Sequence, residues 1–129
     1  MPYNYIVYKK HHLVVSTGTG RVTCSEIKAC QDQAKSDPEF DPNFNQIVDL
    51  RTVTTVDLTV DEARMLASRT IFSSSARRAF IVTSPAVFGM GRMWEIYTEI
   101  ARGTSQIRLF SNLASALDWL GLENNLDFI

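Results

Sequence analysis

Short apolar runs rich in β-forming residues alternate along this chain with stretches whose apolar residues recur at helical spacing. The strand-like runs cover residues 4–9, 12–18, 46–50, 80–82 and 106–110. Four helices are predicted between and after them, beginning near residues 23, 59, 85 and 111. Such alternation is typical of a sheet covered by helices. The sequence therefore predicts a single α/β domain over residues 1–129. We expect a five-stranded mixed sheet in the element order β-β-α-β-α-β-α-β-α.

Capping residues mark the predicted helix starts. Thr23 and Thr59 are each followed three residues later by glutamate, which is the capping-box pattern. Ser84 precedes Pro85, which favours a cap followed by the first helical position, and Ser111 is the predicted cap of the last helix. The predicted core stripes are Ile27, Cys30 and Ala34; Ala63, Leu66, Ala67 and Thr70; Ala86, Met90, Met93, Tyr97 and Ile100, with Trp94 beside them; and Leu113, Ala116, Leu117 and Leu120.

The connections are predicted from their polar and turn-forming residues. The first two strands form an antiparallel hairpin, and Gly18 and Gly20 end its second strand. Residues 51–58, RTVTTVDL, are interpreted as a polar connection. Phe40 and Phe44 are expected to fold back over the core, with an exposed contact patch as the alternative. The tail over residues 122–129 receives no assignment.

Composition excludes several classes of function. The net charge is −1 and the basic residues are scattered, which argues against a nucleic-acid protein. No run approaches the roughly 18 apolar residues of a membrane span, and no secretion signal begins the sequence, so we expect a cytoplasmic protein. Cys24 and Cys30 on one helix would be too far apart for a disulfide. No zinc-type spacing of cysteine or histidine occurs, so neither a metal nor a cofactor is predicted.

Catalytic motifs are also missing from the sequence. It contains no nucleophile elbow, and Trp94 stands where a dinucleotide fingerprint starting at Gly89 and Gly91 would need its third glycine. We predict that both glycines allow close packing of a neighbouring backbone, with a ligand or partner against them as the alternative. The nearby methionines and aromatic residues are predicted core, or else the lining of a lipid-sized pocket. Asp49 is expected to pair with a nearby arginine or to cap a turn.

Three stretches resemble the STAS domain, the fold of anti-sigma-factor antagonists. They are residues 47–57, IVDLRTVTTVD; residues 88–93, FGMGRM; and residues 108–121, from Arg-Leu-Phe through Ala-Leu-Asp-Trp-Leu-Gly. The resemblance covers about residues 3–121 and is greatest to a sporulation-antagonist-like branch of uncharacterised bacterial proteins. It implies an STAS-like fold and a non-enzymatic role in protein interaction.

The resemblance places the contact surface around the start of the second helix, at Thr54, Thr55, Asp57, Leu58 and Thr59. The signalling antagonists carry a phosphorylatable serine directly after the aspartate, whereas here Leu58 follows Asp57. That phosphoswitch therefore does not transfer to this position. Phosphorylation of Thr59 is the less favoured alternative, because this residue is already the predicted cap.

The leading hypothesis is a protein-interaction domain in bacterial signalling or regulation, with an unidentified protein partner. The second is a small apolar-ligand binder with a pocket beneath the third helix, and the surface residues proposed for it are Gly89, Gly91, Met93 and Trp94. An unrecognised enzyme is the third. Spare aromatic residues such as Phe40, Phe44 and Phe128 also suggest a homodimer.

Overall fold

Five strands lie side by side in chain order and form one mixed sheet. The computed structural model describes residues 2–69, 71–103 and 106–123. The strands are β1 (Tyr3–Tyr8), β2 (Leu13–Thr23), β3 (Asn45–Asp57), β4 (Arg78–Ile81) and β5 (Ile107–Phe110), and the helices are α1 (Cys24–Lys35), α2 (Val60–Ser68), α3 (Pro85–Arg102) and α4 (Leu113–Leu120). β1 is antiparallel to β2, and all other neighbours are parallel. The predicted fold class and element order are confirmed.

The helix starts follow the predicted caps with one exception. The Glu26 carboxylate accepts the backbone N–H of Thr23 at 3.0 Å, and the Thr59 hydroxyl accepts the backbone N–H of Glu62 at 3.1 Å. Ser84 caps α3 as expected. The prediction for α4 was wrong by one residue: Asn112, not Ser111, is the cap, because its side-chain oxygen accepts the N–H three residues later at 2.8 Å.

The two faces of the sheet are covered unequally. On one face, α1, α2 and α3 pack against alternate strand residues such as Val48 and Phe80. On the other face, α4 packs against the residues between them, including Ile47 and Ala79. Because successive strand side chains point to opposite faces, each strand contributes to both cores.

The predicted polar connection after Leu50 was wrong, because most of it is strand. β2 runs past both glycines to Thr23, and β3 runs on to Asp57. β4 pairs with β3 only as far as Asp49, so the ends of β2 and β3, residues 19–23 and 52–57, form a strand pairing only with each other among the described residues. One hydrogen bond, from the Thr19 N–H to the Pro2 carbonyl at 2.7 Å, ties the start of this extension to the residue before β1. We call this two-stranded extension the arm. It is held by buried Val22 and Val53, and two register shifts in the β2–β3 pairing interrupt the regular alternation.

The predicted core stripe of α3 was correct only in part, since Trp94 is buried and Tyr97 packs against the core. Ala86 is exposed, the Ile100 side chain is 75% exposed, and Met90, Met93 and Tyr97 are half-buried. The residues that α3 buries are Val87, Gly91, Trp94 and Thr98. The reason is that α3 carries apolar residues around most of its circumference, so the helical period alone does not say which side faces the sheet.

The remaining predictions on the core were mostly correct. Phe44 is buried and Phe40 packs beside it, so neither forms an exposed patch. The predicted stripes of α1 and α4 are confirmed, and α2 buries Ala63, Leu66 and Ala67. Thr70 and residues 124–129, with Phe128, lie outside the described residues. Among the helices that the structure describes, none combines the length and apolar character needed to cross a membrane.

The two glycines near the start of α3 offer a matched test of the packing. A Cβ at Gly91 would lie 2.7 Å from Cδ2 of Leu109, whereas one at Gly89 would meet no described atom within 4 Å beyond its chain neighbours and the nearby backbone of its own helix. In Gly91→Ala the cost of overpacking against Leu109 opposes the helix-propensity gain, so this variant should be less stable than Gly89→Ala by about 1–3 kcal/mol. Gly89→Ala should raise the free energy of unfolding by up to about 1 kcal/mol through helix propensity. Urea denaturation of both variants measures the difference, and shifts of equal sign and size would contradict the assigned orientation of α3.

Candidate functional site

A part-open cleft lies on the three-helix face of the sheet, between α1 and α3. Strands β1–β4 form its floor, and Leu58 and the segment after α2 complete its wall. The lining is mainly apolar, and the cavity volume is about 80 Å³. Engineered apolar cavities of roughly 150 Å³ hold a benzene molecule. The enclosed part of this cleft therefore has room for a few carbon atoms.

A row of polar side chains crosses the floor of the cleft. The guanidinium of Arg78 donates through Nε to Oε1 of Gln46 at 2.9 Å, and the Gln46 amide donates to the hydroxyl of Ser16 at 2.9 Å. Ser16 is also hydrogen-bonded to Tyr3. We call Tyr3, Ser16, Gln46 and Arg78 the polar row. Each residue comes from a different strand, β1 to β4, and each is at most 9% exposed.

Arg78 brings a positive charge to the apolar cleft. Its guanidinium lies 5.0 Å from the ring centre of Phe72 and 5.9 Å from that of Phe80. Aromatic faces attract a cation, and the hydrogen bond to Gln46 adds to this compensation for burial. The result is a fixed cation on the floor of a pocket whose other walls are largely apolar.

Two polar atoms on the buried side of α3 lack a hydrogen-bond partner among the described residues. They are Nε1 of Trp94 and the hydroxyl oxygen of Thr98. Leaving a buried donor without an acceptor costs about 1–3 kcal/mol. Trp94 lines the cleft and is only 8% exposed. An acceptor that entered the cleft and reached Nε1 would remove this cost for the indole N–H.

The two tyrosines and the cysteine that line the cleft favour their protonated, neutral forms. Burial raises the pKa of Tyr3 to about 12 and that of the Cys30 thiol to about 11. Burial, followed by the hydrogen bond to Asp37, raises the pKa of Tyr5 to about 12. A thiol at that pKa carries little thiolate at neutral pH, so Cys30 is a poor nucleophile.

The residues predicted as a contact surface lie on the arm and directly after it. Thr54, Thr55 and Asp57 are exposed on β3, and Asp57 forms an ion pair with Arg21 across the arm. Leu58 instead turns toward the cleft and lines it, and Thr59 is the α2 cap described above. The structure therefore divides this predicted set between two places.

The second predicted set is divided in the same way. Gly91 and Trp94 line the cleft, whereas Gly89 is exposed and Met93 is half-buried on a different side of α3. Gly91 approaches the side chain of Leu109 rather than a neighbouring backbone, so the predicted reason for this glycine was wrong. Of these two sets, Leu58, Gly91 and Trp94 line the cleft. Met90, which was predicted as core or as pocket lining, lines it as well.

Asp49 lies outside the cleft lining and pairs with an arginine as predicted. Its two carboxylate oxygens accept from Nε and NH2 of Arg51 at 2.9 Å and 2.8 Å. Partial burial would raise the pKa of Asp49, but these hydrogen bonds outweigh it and hold the pKa below its ordinary value. Both oxygens of the Asp49 carboxylate therefore bind Arg51.

The polar row was missed by the sequence analysis. Its four residues are separated along the chain by up to 75 positions, from Tyr3 to Arg78, and only strand order and register bring them together. The available indication was a polar residue within each buried strand, such as Gln46 beside Ile47. No group of three potential metal ligands occurs among the described histidine, cysteine, aspartate and glutamate residues.

The chain-ordered mixed sheet, with three helices on one face and one on the other, defines an STAS-like domain. The chain is similar to the crystal structure of an uncharacterised protein of the DUF3478 family with a SpoIIAA-like fold, from Shewanella loihica PV-4. The TM-score is 0.61 and the sequence identity is 15%, with 92% of this chain and 91% of that chain covered. No protein-family model and no curated protein matches the chain. At this identity the similarity establishes the fold, and the predicted resemblance is confirmed at that level.

The raised pKa of Tyr3 predicts a loss of stability at alkaline pH. The folded protein keeps the Tyr3 proton up to about pH 12, whereas the unfolded chain loses it near the ordinary tyrosine pKa of 10.0. The contribution of Tyr3 to the free energy of unfolding is therefore fully present below pH 10, and about 2 kcal/mol of it is lost as the pH rises toward 12.

Urea denaturation of wild type and Tyr3→Phe between pH 8 and about pH 11.5 tests this expectation. At neutral pH, the free energy of unfolding of the variant should be about 1 kcal/mol lower, because the hydrogen bond to Ser16 is removed. As the pH rises, this free energy should fall less steeply than in wild type. Tyr97→Phe, outside the polar row, serves as the control. Equal alkaline slopes in wild type and Tyr3→Phe would refute the assignment.

Proposed function

We propose that this protein is a non-enzymatic binding domain whose cleft receives the apolar end of a small ligand. The observation that carries the proposal is the combination of an apolar cleft, a fixed cation on its floor and a buried indole N–H without a partner. Ligand sites are commonly apolar pockets with a few polar groups that orient the ligand.

The size of the cleft limits what can enter. Typical small-molecule sites enclose roughly 300–1,000 Å³. About 80 Å³ is enclosed here, so most of a larger ligand would lie across the open mouth of the cleft. Short alkyl segments of a few carbon atoms are the groups that fit such a volume. A hydrogen-bond acceptor or anionic group on the ligand suits Trp94 and Arg78.

The absence of activated groups supports a non-enzymatic role. Cys30 and the two tyrosines that line the cleft hold their protons at neutral pH. Nucleophilic catalysis needs a nucleophile with a lowered pKa or an adjacent base. Among the described residues that line the cleft, no carboxylate or histidine is available as that base.

A short fatty acid such as octanoate is a suitable probe for the proposed site. The chain contains two tryptophans, Trp94 and Trp119, and Trp119 packs with the α4 core on the opposite face. In Trp119→Phe, titration with octanoate should change the Trp94 emission in a saturable way. In Trp94→Phe, the remaining tryptophan should not respond.

A blocking variant distinguishes binding in the cleft from adsorption elsewhere. Ala34 lines the cleft on α1 and is 4% exposed, so Ala34→Leu adds three carbon atoms to that wall. We expect this change, made in the Trp119→Phe background, to weaken octanoate binding at least tenfold, which corresponds to about 1.4 kcal/mol. Isothermal titration calorimetry supplies an independent affinity. Absence of a saturable response below the micellar concentration, or equal binding by Ala34→Leu, would overturn the proposal.

Protein interaction in bacterial signalling or regulation is the second candidate, and the exposed arm favours it. Among the described residues, no strand pairs with β3 on the β4 side after Asp49, and the exposed residues of this part of β3 include Thr54 and Thr55. Unpaired strand edges can accept an additional strand from a partner. The α2 start at Thr59 lies directly beyond the arm.

A photo-crosslinking residue at Thr55 would test the arm as a docking surface. In a lysate of the source organism, we expect it to trap a defined protein that the same residue at exposed Ser75 does not trap. Asp57→Ala should reduce the yield, because it removes a surface carboxylate of the arm and frees Arg21. Identical products from both positions, or a yield unaffected by Asp57→Ala, would count against this function.

A further inference from the structure

The outward side of α3 carries an apolar stripe with the spacing of a helix–helix seam. Its members are Gly89, Met93, Ile96 and Ile100, which recur at i, i+4, i+7 and i+11. We call them the outer stripe. Ile96 is 49% exposed and Ile100 is 75% exposed, and a Cβ built at Gly89 would meet no described atom within 4 Å beyond its chain neighbours and the nearby backbone of its own helix. This alternation of three and four residues is the heptad pattern by which helices pair.

Two oppositely charged residues lie along one side of the outer stripe, which we call the flank, with one residue on each half of the helix. Arg92 and Glu99 are seven residues apart, so they occupy the same heptad position on the same flank. Both are exposed, and Arg92 reaches Glu95 of its own helix at 2.7 Å with a side chain that is still 56% exposed. The flank therefore has a positive end and a negative end.

We propose that the outer stripe joins α3 of one chain to α3 of a second copy in antiparallel orientation. In an antiparallel heptad seam, Met93 lies opposite Ile96 of the other copy, and Gly89 lies opposite Ile100. The open space at the glycine accommodates the larger isoleucine. Because the pairing is two-fold symmetric, every contact occurs twice.

Charge complementarity selects the second copy as the occupant. In this register Arg92 of each chain lies opposite Glu99 of the other chain. The two-fold symmetry therefore gives two such ion pairs. One chain thus supplies both members of both ion pairs. In a parallel arrangement the same flank would instead face the half-buried Met90 and Tyr97, which offer no charge. A partner helix that carried charges of a single sign would attract only one of these two residues and repel the other.

Charge reversal provides the test, with the full chain studied by sedimentation and light scattering. Arg92→Glu and Glu99→Arg each turn two attractive contacts into two repulsive ones, and each should weaken the dimer at least about tenfold. An equimolar mixture of the two variants should restore a dimer, because each chain then carries a single sign on the flank. The double variant R92E/E99R should also dimerise. Lys28→Glu, an exposed change of equal charge on α1, should have no effect.

The outcomes separate this proposal from the alternatives. Far-UV circular dichroism and thermal unfolding establish that each variant is folded. A wild-type protein that stays monomeric at millimolar concentration overturns the proposal, and so does a dimer that survives both single reversals. Disruption that neither the mixture nor the double variant repairs would also refute the antiparallel register. None of these results depends on whether the cleft binds octanoate.

Discussion

The parallel pairing of β2 with β3 is the interaction on which the rest of the structure depends. It joins ten residue pairs, from Leu13 opposite Asn45 to Thr23 opposite Asp57, against six for β1–β2 and four for each of the other two pairings. Parallel strands need a crossover, and α1 supplies it on the three-helix face. The same pairing continues beyond the rest of the sheet and forms the arm, so both the cleft and the arm derive from it.

The polar row is not explained by stability alone. A buried charge must be compensated, and replacing buried ionic groups with apolar residues of similar size is often neutral or stabilising. Here Arg78 is held by Gln46 and two aromatic rings at one end of a four-strand row. The row lies on the floor of a cleft that Trp94 also lines, and the indole N–H of Trp94 has no hydrogen-bond partner among the described residues. Binding of an apolar ligand that carries one polar group would account for the presence of all these residues in one cleft.

Local patterns predicted the elements well and their tertiary environment less well. The capping boxes at Thr23 and Thr59 placed two helix starts correctly, because a cap is a contact between residues three positions apart. The polar threonines of the arm predicted a loop, whereas threonine also favours strands and the segment is part of β3. The register shifts in the arm hide the two-residue alternation that would have identified it. Of the cleft, Leu58, Gly91 and Trp94 were named as candidate site residues, whereas the polar row required the register of four strands.

Helix α3 shows why a periodic pattern can be real and still be assigned to the wrong surface. Trp94 and Gly91 face the sheet, where the glycine admits Leu109, while Ile96 and Ile100 lie on the opposite side. A helix that only covered a sheet would carry polar residues on that outer side. Two apolar sides on one helix mean that packing against the sheet uses only part of its hydrophobic surface. Water contact with the remaining isoleucines is unfavourable, at roughly 25 cal/mol per Å² of apolar area, until another surface covers them. The self-complementary charges of Arg92 and Glu99 then decide which covering surface fits.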